Sequence, residues 1–286
     1  IKTLNGTKTG ISDSLALNAG AALWVYGSVE NLFDGVKLAQ ARLAEGNIIK
    51  LNKLQQSVHR KYQAPTKRKS MKAALKAKEF AVISEIKRAS PSAGHIADIG
   101  DPLERAKEYV SYGAAAISVL TDAGFNGSMA DLRRVTDGLK DTPVPVLCKD
   151  FMLTPPQIAE AAANGADVIL LIVHVLKEKT HEMAKIAHSF GLEVLVEVHT
   201  AAELEIALSA NADVIGVNQR DLNDFSMHPE QFADLIKLIP ADKVKVAESG
   251  IKTREQALAA IELGYDGVLV GEALSRLDNP ATFFGL

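Results

Sequence analysis

The chain has 286 residues, of which 47% are hydrophobic, 23% charged and 5% aromatic. That apolar share supports a large buried core and excludes intrinsic disorder, which goes with low hydrophobicity and high net charge. Lys and Arg total 32 against 35 Asp and Glu, so no basic surplus points to a nucleic-acid partner.

A single cysteine, Cys148, cannot form an internal disulfide and suits a reducing compartment. A cytoplasmic location is expected, or a plastid if the source is a photosynthetic eukaryote. No stretch reaches the ~20 apolar residues of a membrane span, so no membrane partner is expected. A signal peptide is not apparent, and Ile1 in place of methionine reads as a fragment or a processed product.

In chain order, residues 14–26 are rich in Ala and Leu and helical in period. Residues 29–45 place Leu32, Val36, Ala39 and Leu43 on one helical face before Gly46 stops the helix, and a third helix is expected over 48–62. The charged, proline-containing run Ala64-Pro65-Thr66-Lys67-Arg68-Lys69 is of the kind that joins domains. It divides a helical segment, 1–63, from a second domain, 64–286.

That second domain alternates apolar runs with amphipathic helices. The runs fall at 81–86, 115–120, 144–147, 167–172, 193–198, 213–217, 243–247 and 266–270, and continuous Val/Ile/Leu runs are the mark of parallel strands buried on both faces. A junction recurs in Tyr112-Gly113, Asn164-Gly165-Ala166-Asp167, Asn211-Ala212-Asp213 and Leu263-Gly264-Tyr265-Asp266. Each puts Gly or Asn where a left-handed helix cap is needed. Eight strand–helix units predict an α/β fold, a (β/α)8 TIM barrel with an N-terminal helical segment. The alternative is a doubly wound open sheet, although no glycine-rich dinucleotide fingerprint follows any strand.

In such a barrel the site lies at the C-terminal strand ends. Those ends carry Glu85 and Lys87, Thr121 and Asp122, Lys149 and Asp150, His174, Glu197 and His199, Asn218 and Arg220, Glu248 and Ser249, and Gly271 and Glu272. Glu85 and Lys87 are two residues apart, so they share a strand face. Lys149 pointing inward sends Cys148 outward as a packing residue. Lys149 between carboxylates suits proton transfer to a substrate carbonyl. Ser249-Gly250-Ile251 and Gly271-Glu272-Ala273 open the loops after strands seven and eight, where barrel enzymes hold phosphate. Lys87 and Arg220 supply cations for anionic groups. No His-Glu-x-x-His pair supports a metal; His181 and His188 are expected on a solvated face, and His174 and His199 in rim or structural roles.

The run Val82-Ile83-Ser84-Glu85-Ile86-Lys87-Arg88-Ala89-Ser90-Pro91-Ser92 resembles the first-strand signature of indole-3-glycerol phosphate synthase. Phe125-Asn126-Gly127-Ser128, Val146-Leu147-Cys148-Lys149-Asp150-Phe151, Val194-Leu195-Val196-Glu197-Val198, Gly216-Val217-Asn218-Gln219-Arg220, Ala247-Glu248-Ser249-Gly250-Ile251 and Val270-Gly271-Glu272-Ala273-Leu274 are similar to further motifs of that family, in order. The resemblance implies a carbon–carbon lyase of tryptophan biosynthesis that uses no cofactor. It would close 1-(2-carboxyphenylamino)-1-deoxyribulose 5-phosphate to indole-3-glycerol phosphate with loss of CO2 and water. By the same resemblance Lys149 matches the general acid, Glu197 and Glu85 the carboxylates that assist it, and Lys87 a second proton donor. Asn218 and Glu248 match positioning residues. Ser90, Arg220, Phe151, Ser249, Gly250, Gly271 and Glu272 match substrate contacts, the last four at phosphate positions.

Met71 to Leu75 resembles the end of the helical extension that this family carries over the active-site mouth. Upstream, Asp13 to Leu23 with Gly35-Val36-Lys37-Leu38-Ala39 resembles the C-terminal tail of anthranilate phosphoribosyltransferase, which implies a fused, multifunctional ancestor. The implied partner is a small phosphorylated substrate, with the N-terminal segment the candidate contact to other tryptophan-pathway enzymes. Rival expectations are a sugar-phosphate isomerase of the phosphoribosylanthranilate isomerase type on the same barrel, or a non-catalytic scaffold.

Overall fold

The structure, a computed structural model, describes residue 37 and residues 68–90, 94–96, 98–222 and 224–286. The helices expected over 14–26, 29–45 and 48–62 lie outside the described residues apart from Lys37, which is helical and exposed. The chain groups into two compact units, residues 1–67 with 156–163 and residues 68–155 with 164–286.

The second unit holds eight parallel strands: β1 (Val82–Ile86), β2 (Ala116–Leu120), β3 (Val146–Lys149), β4 (Val168–Ile172), β5 (Glu193–Val198), β6 (Val214–Asn218), β7 (Val244–Glu248) and β8 (Gly267–Val270). Each pairs with its sequence neighbours, and β1 closes on β8 through Val82↔Val268 and Ile83↔Leu269. The closed ring excludes the open doubly wound sheet. The junction residues adopt the expected left-handed conformation, with φ of 96° at Gly113, 85° at Gly165, 58° at Asn211 and 108° at Gly264.

β3 starts two residues later than its apolar run suggests. Pro145 has no N–H to donate, and only its carbonyl joins the ladder, accepting from Ile117 N at 3.0 Å. At its other end β3 runs on through Lys149, so the lysine is held on a strand and not in a loop.

Period-two alternation builds the interior in layers. Ile83, Leu147, Leu195 and Val246 belong to the apolar core. Two residues further along the same strands stand Glu85, Lys149, Glu197 and Glu248. An apolar floor thus lies beneath a polar layer at the C-terminal rim. Cys148 alternates away from Lys149 and is fully buried.

A second regularity sits at the strand starts. Asp167, just before β4, accepts Val146 N at 2.9 Å; Asp213, before β6, accepts Val194 N at 2.9 Å; Asp266, before β8, accepts Lys245 N at 2.8 Å. Each aspartate satisfies a backbone donor of the preceding strand that the ladder leaves over.

The helix Met71–Lys76, capped by Ser70, buries Met71 and Leu75 fully. Both pack with Ala81, Ala115, Val168, Val214 and Val244, residues at the strand starts. Met71–Lys76 thus packs at the end of the barrel opposite the polar rim. Truncating either side chain to alanine would cost about 2–5 kcal/mol.

Candidate active site

One cavity of about 490 Å³ opens at the C-terminal rim. Twelve of the thirteen expected site residues line it: Lys149, Glu197, Glu85, Lys87, Asn218, Glu248, Arg220, Phe151, Ser249, Gly250, Gly271 and Glu272. The thirteenth, Ser90, pairs through its backbone with Gly94 in a two-residue hairpin beyond β1, and its side chain lies outside what is described.

Glu85 is the hub. Its Oε1 lies 3.3 Å from Lys87 Nζ and its Oε2 lies 3.8 Å from Lys149 Nζ. Ser118 Oγ donates to the same Oε2 at 3.5 Å. The carboxyl is only 2% exposed. Burial opposes its charge, but the two lysines outweigh burial and hold its pKa below the usual carboxylate value.

Lys149 shows the same balance with the signs reversed. Burial disfavours the ammonium, yet Glu85, Glu248 and Glu197 together hold its pKa above the ordinary lysine value. Glu248 is pushed well above the usual carboxylate range by burial and by the neighbouring Glu197 carboxylate. Glu248 therefore holds a proton more readily than an ordinary carboxyl group, and in that form it can donate a hydrogen bond.

Two consecutive residues after β7, Ser249 and Gly250, have φ of 68° and 67°. A β-carbon on Gly250 would come within 2.4 Å of Gln219 Nε2, whose side chain donates to Ser249 O at 2.8 Å. The opposite wall is apolar, with Phe125 and Phe151 at a ring-centroid separation of 6.4 Å beside Leu120, Leu170 and Leu222. The cavity is thus suited to a flat apolar group at one side and anionic groups at the other.

Sequence reasoning missed Lys252, Arg276 and Phe125 as lining residues. Lys252 follows Ser249-Gly250-Ile251 directly, so that loop itself was the available signal. Phe125 ends a short 3₁₀ turn, Ala123–Phe125, where no periodicity announces which way a side chain points. His181 and His188, expected on a solvated face, are partly exposed and each has a polar neighbour, His181 Nε2 lying 2.8 Å from Ser209 Oγ and His188 Nε2 lying 2.9 Å from Asp213. Among the described residues no cluster of three His, Cys, Asp or Glu side chains could hold a metal ion.

The chain matches the family model of indole-3-glycerol phosphate synthase over residues 37–284. It is 43% identical over 252 residues to the indole-3-glycerol phosphate synthase of Exiguobacterium sibiricum, covering 87% of this chain and 88% of that protein. The chain belongs to the indole-3-glycerol phosphate synthase family. The synthase of Mycolicibacterium gilvum is 47% identical over 210 residues, which is 73% of this chain and 76% of that one. Likeness in fold alone extends to an N-acetylmannosamine-6-phosphate 2-epimerase from Clostridium perfringens, at a TM-score of 0.57 and 16% identity over 75% of this chain and 94% of that one. The family match begins at residue 37, within the 1–63 segment. No helix among the described residues is long and apolar enough to cross a membrane.

Proposed function

We propose that the rim cavity closes 1-(2-carboxyphenylamino)-1-deoxyribulose 5-phosphate to indole-3-glycerol phosphate, with Lys149 as the general acid. The observation that carries this reading is the lysine's setting, a half-buried ammonium in the cavity, held by three neighbouring carboxyl groups. In the first stage the ring carbon bearing the carboxylate attacks the ribulose carbonyl carbon. A C–C bond forms, the C=O π pair goes to oxygen, and Lys149 supplies that oxygen's proton. Loss of CO2 returns the C–carboxyl bond pair to the ring. In the second stage the C–O bond to the new hydroxyl breaks, Lys87 donates the proton that lets it leave as water, and Glu85 or Glu197 accepts the proton released from the five-membered ring.

The geometry fits a division of labour. Glu85 touches both lysines, so a proton it accepts in the second stage can pass to either one without a large movement, and the second proton consumed per turnover comes from water. Asn218 and Glu248 orient the intermediate, and Phe151 and Phe125 hold the aromatic ring against the apolar wall. The backbone of Ser249, Gly250, Gly271 and Glu272 faces the phosphate, where closely approaching N–H groups favour an anion. Arg220 and Ser90 take the remaining anionic contacts. Lys252 adds a cation to the same loop.

The N-terminal segment, residues 1–63, is the candidate remnant of a fused transferase and the candidate contact to neighbouring pathway enzymes. The bacterial relatives and the single cysteine favour a cytoplasmic setting.

The test is direct. Mixing the chain with the carboxyphenylamino substrate should produce indole fluorescence, while phosphoribosylanthranilate should be left unchanged. Isomerisation of the second compound without indole from the first would overturn the reading.

A further inference from the structure

A buried chain of polar side chains leads away from Glu197, and the mechanism above does not use it. His199 follows β5 and does not line the cavity; it is 7% exposed. Its Nε2 lies 3.5 Å from Glu197 Oε1, and both atoms are buried with no hydrogen bond formed, to each other or to any other described residue. On the other side of the ring, Nδ1 lies 3.2 Å from Glu203 Oε2.

Glu203 is held in place by its own helix. Thr200 caps the helix Ala201–Ser209 and accepts Glu203 N at 3.2 Å, the Thr-x-x-Glu spacing of a capping box. The glutamate reaches back one residue further than usual, accepting His199 N at 2.7 Å. One carboxylate oxygen thus receives both the backbone N–H and the ring nitrogen of His199, which leaves the imidazole little rotational freedom. The other oxygen lies 3.2 Å from His174 Nδ1, and the His174 and His199 rings meet edge to face with centroids 5.9 Å apart.

The charges that face His199 are Glu197, Glu203 and, at longer range, Asp221, with His174 as the neighbouring titratable ring. Burial works against an imidazolium here. The hydrogen bond to Glu203 and the three negative charges outweigh burial and raise its pKa.

We propose that His199 is a positioning residue for Glu197. Fixed by Glu203, it turns Nε2 toward the Glu197 carboxyl and keeps that side chain aimed at the substrate. A histidine with one nitrogen tied to a carboxylate has its other nitrogen's role set by that bond. The inference rests on the role given to Glu197 above.

The experiment measures kcat and KM against pH for E197Q, H199F, H199Q and E203Q. For H199F we expect kcat to fall about ten- to a hundredfold, KM to stay within about twofold, and the acid limb to move up by about one pH unit. H199Q, with an amide donor near the Nε2 position, recovers most of that loss, and E203Q falls between. A wild-type profile for H199F would overturn the proposal, as would equal losses in H199F and H199Q with the acid limb unmoved. E197Q distinguishes the two levels: wild-type turnover in that variant would sink the reading of the site, whereas an inactive E197Q beside an unaffected H199F places the failure on His199 alone. Should H199F not fold, nitrogen NMR of the wild-type protein decides. Both His199 nitrogens protonated at pH 7 supports the proposal, and a bare Nε2 contradicts it.

Discussion

Gly271 leaves the space that Glu85 occupies. A β-carbon at position 271 would lie 2.5 Å from Glu85 Oε1 and 3.1 Å from its Cβ. The last barrel strand, β8, and the first, β1, are adjacent in the closed ring, so the loop that leaves β8 passes directly over the carboxylate bridging both lysines.

G271A should therefore act on catalysis more than on folding. The methyl must push Glu85 away from Lys87 and Lys149, and kcat should fall about 100-fold, because misplacement by ~1 Å can cost that much. Steady-state kinetics beside a thermal melt checks this. Wild-type kcat in a folded G271A would show that the contact is tolerated.

E248Q should be stabilised relative to wild type as pH rises. The folded-state pKa of Glu248 is raised, so the neutral acid's contribution is fully present below about pH 4.5, the unfolded value, and is lost as pH rises toward the folded pKa. Glutamine keeps the uncharged shape and does not titrate. Melts at pH 5 and pH 8 should show the difference between the two proteins growing toward pH 8 by about 2–4 °C, the shift for ~1 kcal/mol in a domain of this size. A difference that shrinks with pH would contradict the assignment.

D213A should destabilise the barrel without touching the cavity. It leaves Val194 N and His188 without their acceptor. The expected cost is about 1–3 kcal/mol, the range for a buried donor left unsatisfied, read as a lower urea midpoint. D266A, which removes the equivalent acceptor of Lys245 N, should behave alike.

Sequence made the barrel legible because its strands are continuous apolar runs and its helix ends carry Gly or Asn; both signals are local. The inward direction of Glu85 and Lys149 was legible through simple alternation. Other features depended on distant partners. Asp167, Asp213 and Asp266 read as polar residues at strand starts, and their role appears only when the neighbouring strand brings up its N–H. His199 read as a rim or structural residue, and its partners stayed hidden because Glu197 and Glu203 lie on a strand and a helix whose relative placement no periodicity specifies. Met71 to Leu75 resembled the end of a family extension, and which end of the barrel its two large apolar side chains close depends on contacts with the strand starts.

The most direct test of the account is single-turnover fluorescence of K149A beside K149R on the carboxyphenylamino substrate. We predict that K149A binds the substrate with an affinity within about threefold of wild type and forms indole product about 10³-fold more slowly, the scale of a lost general acid, with K149R in between. Product formation by a folded K149A at the wild-type rate would contradict the central claim that this half-buried ammonium protonates the ribulose carbonyl.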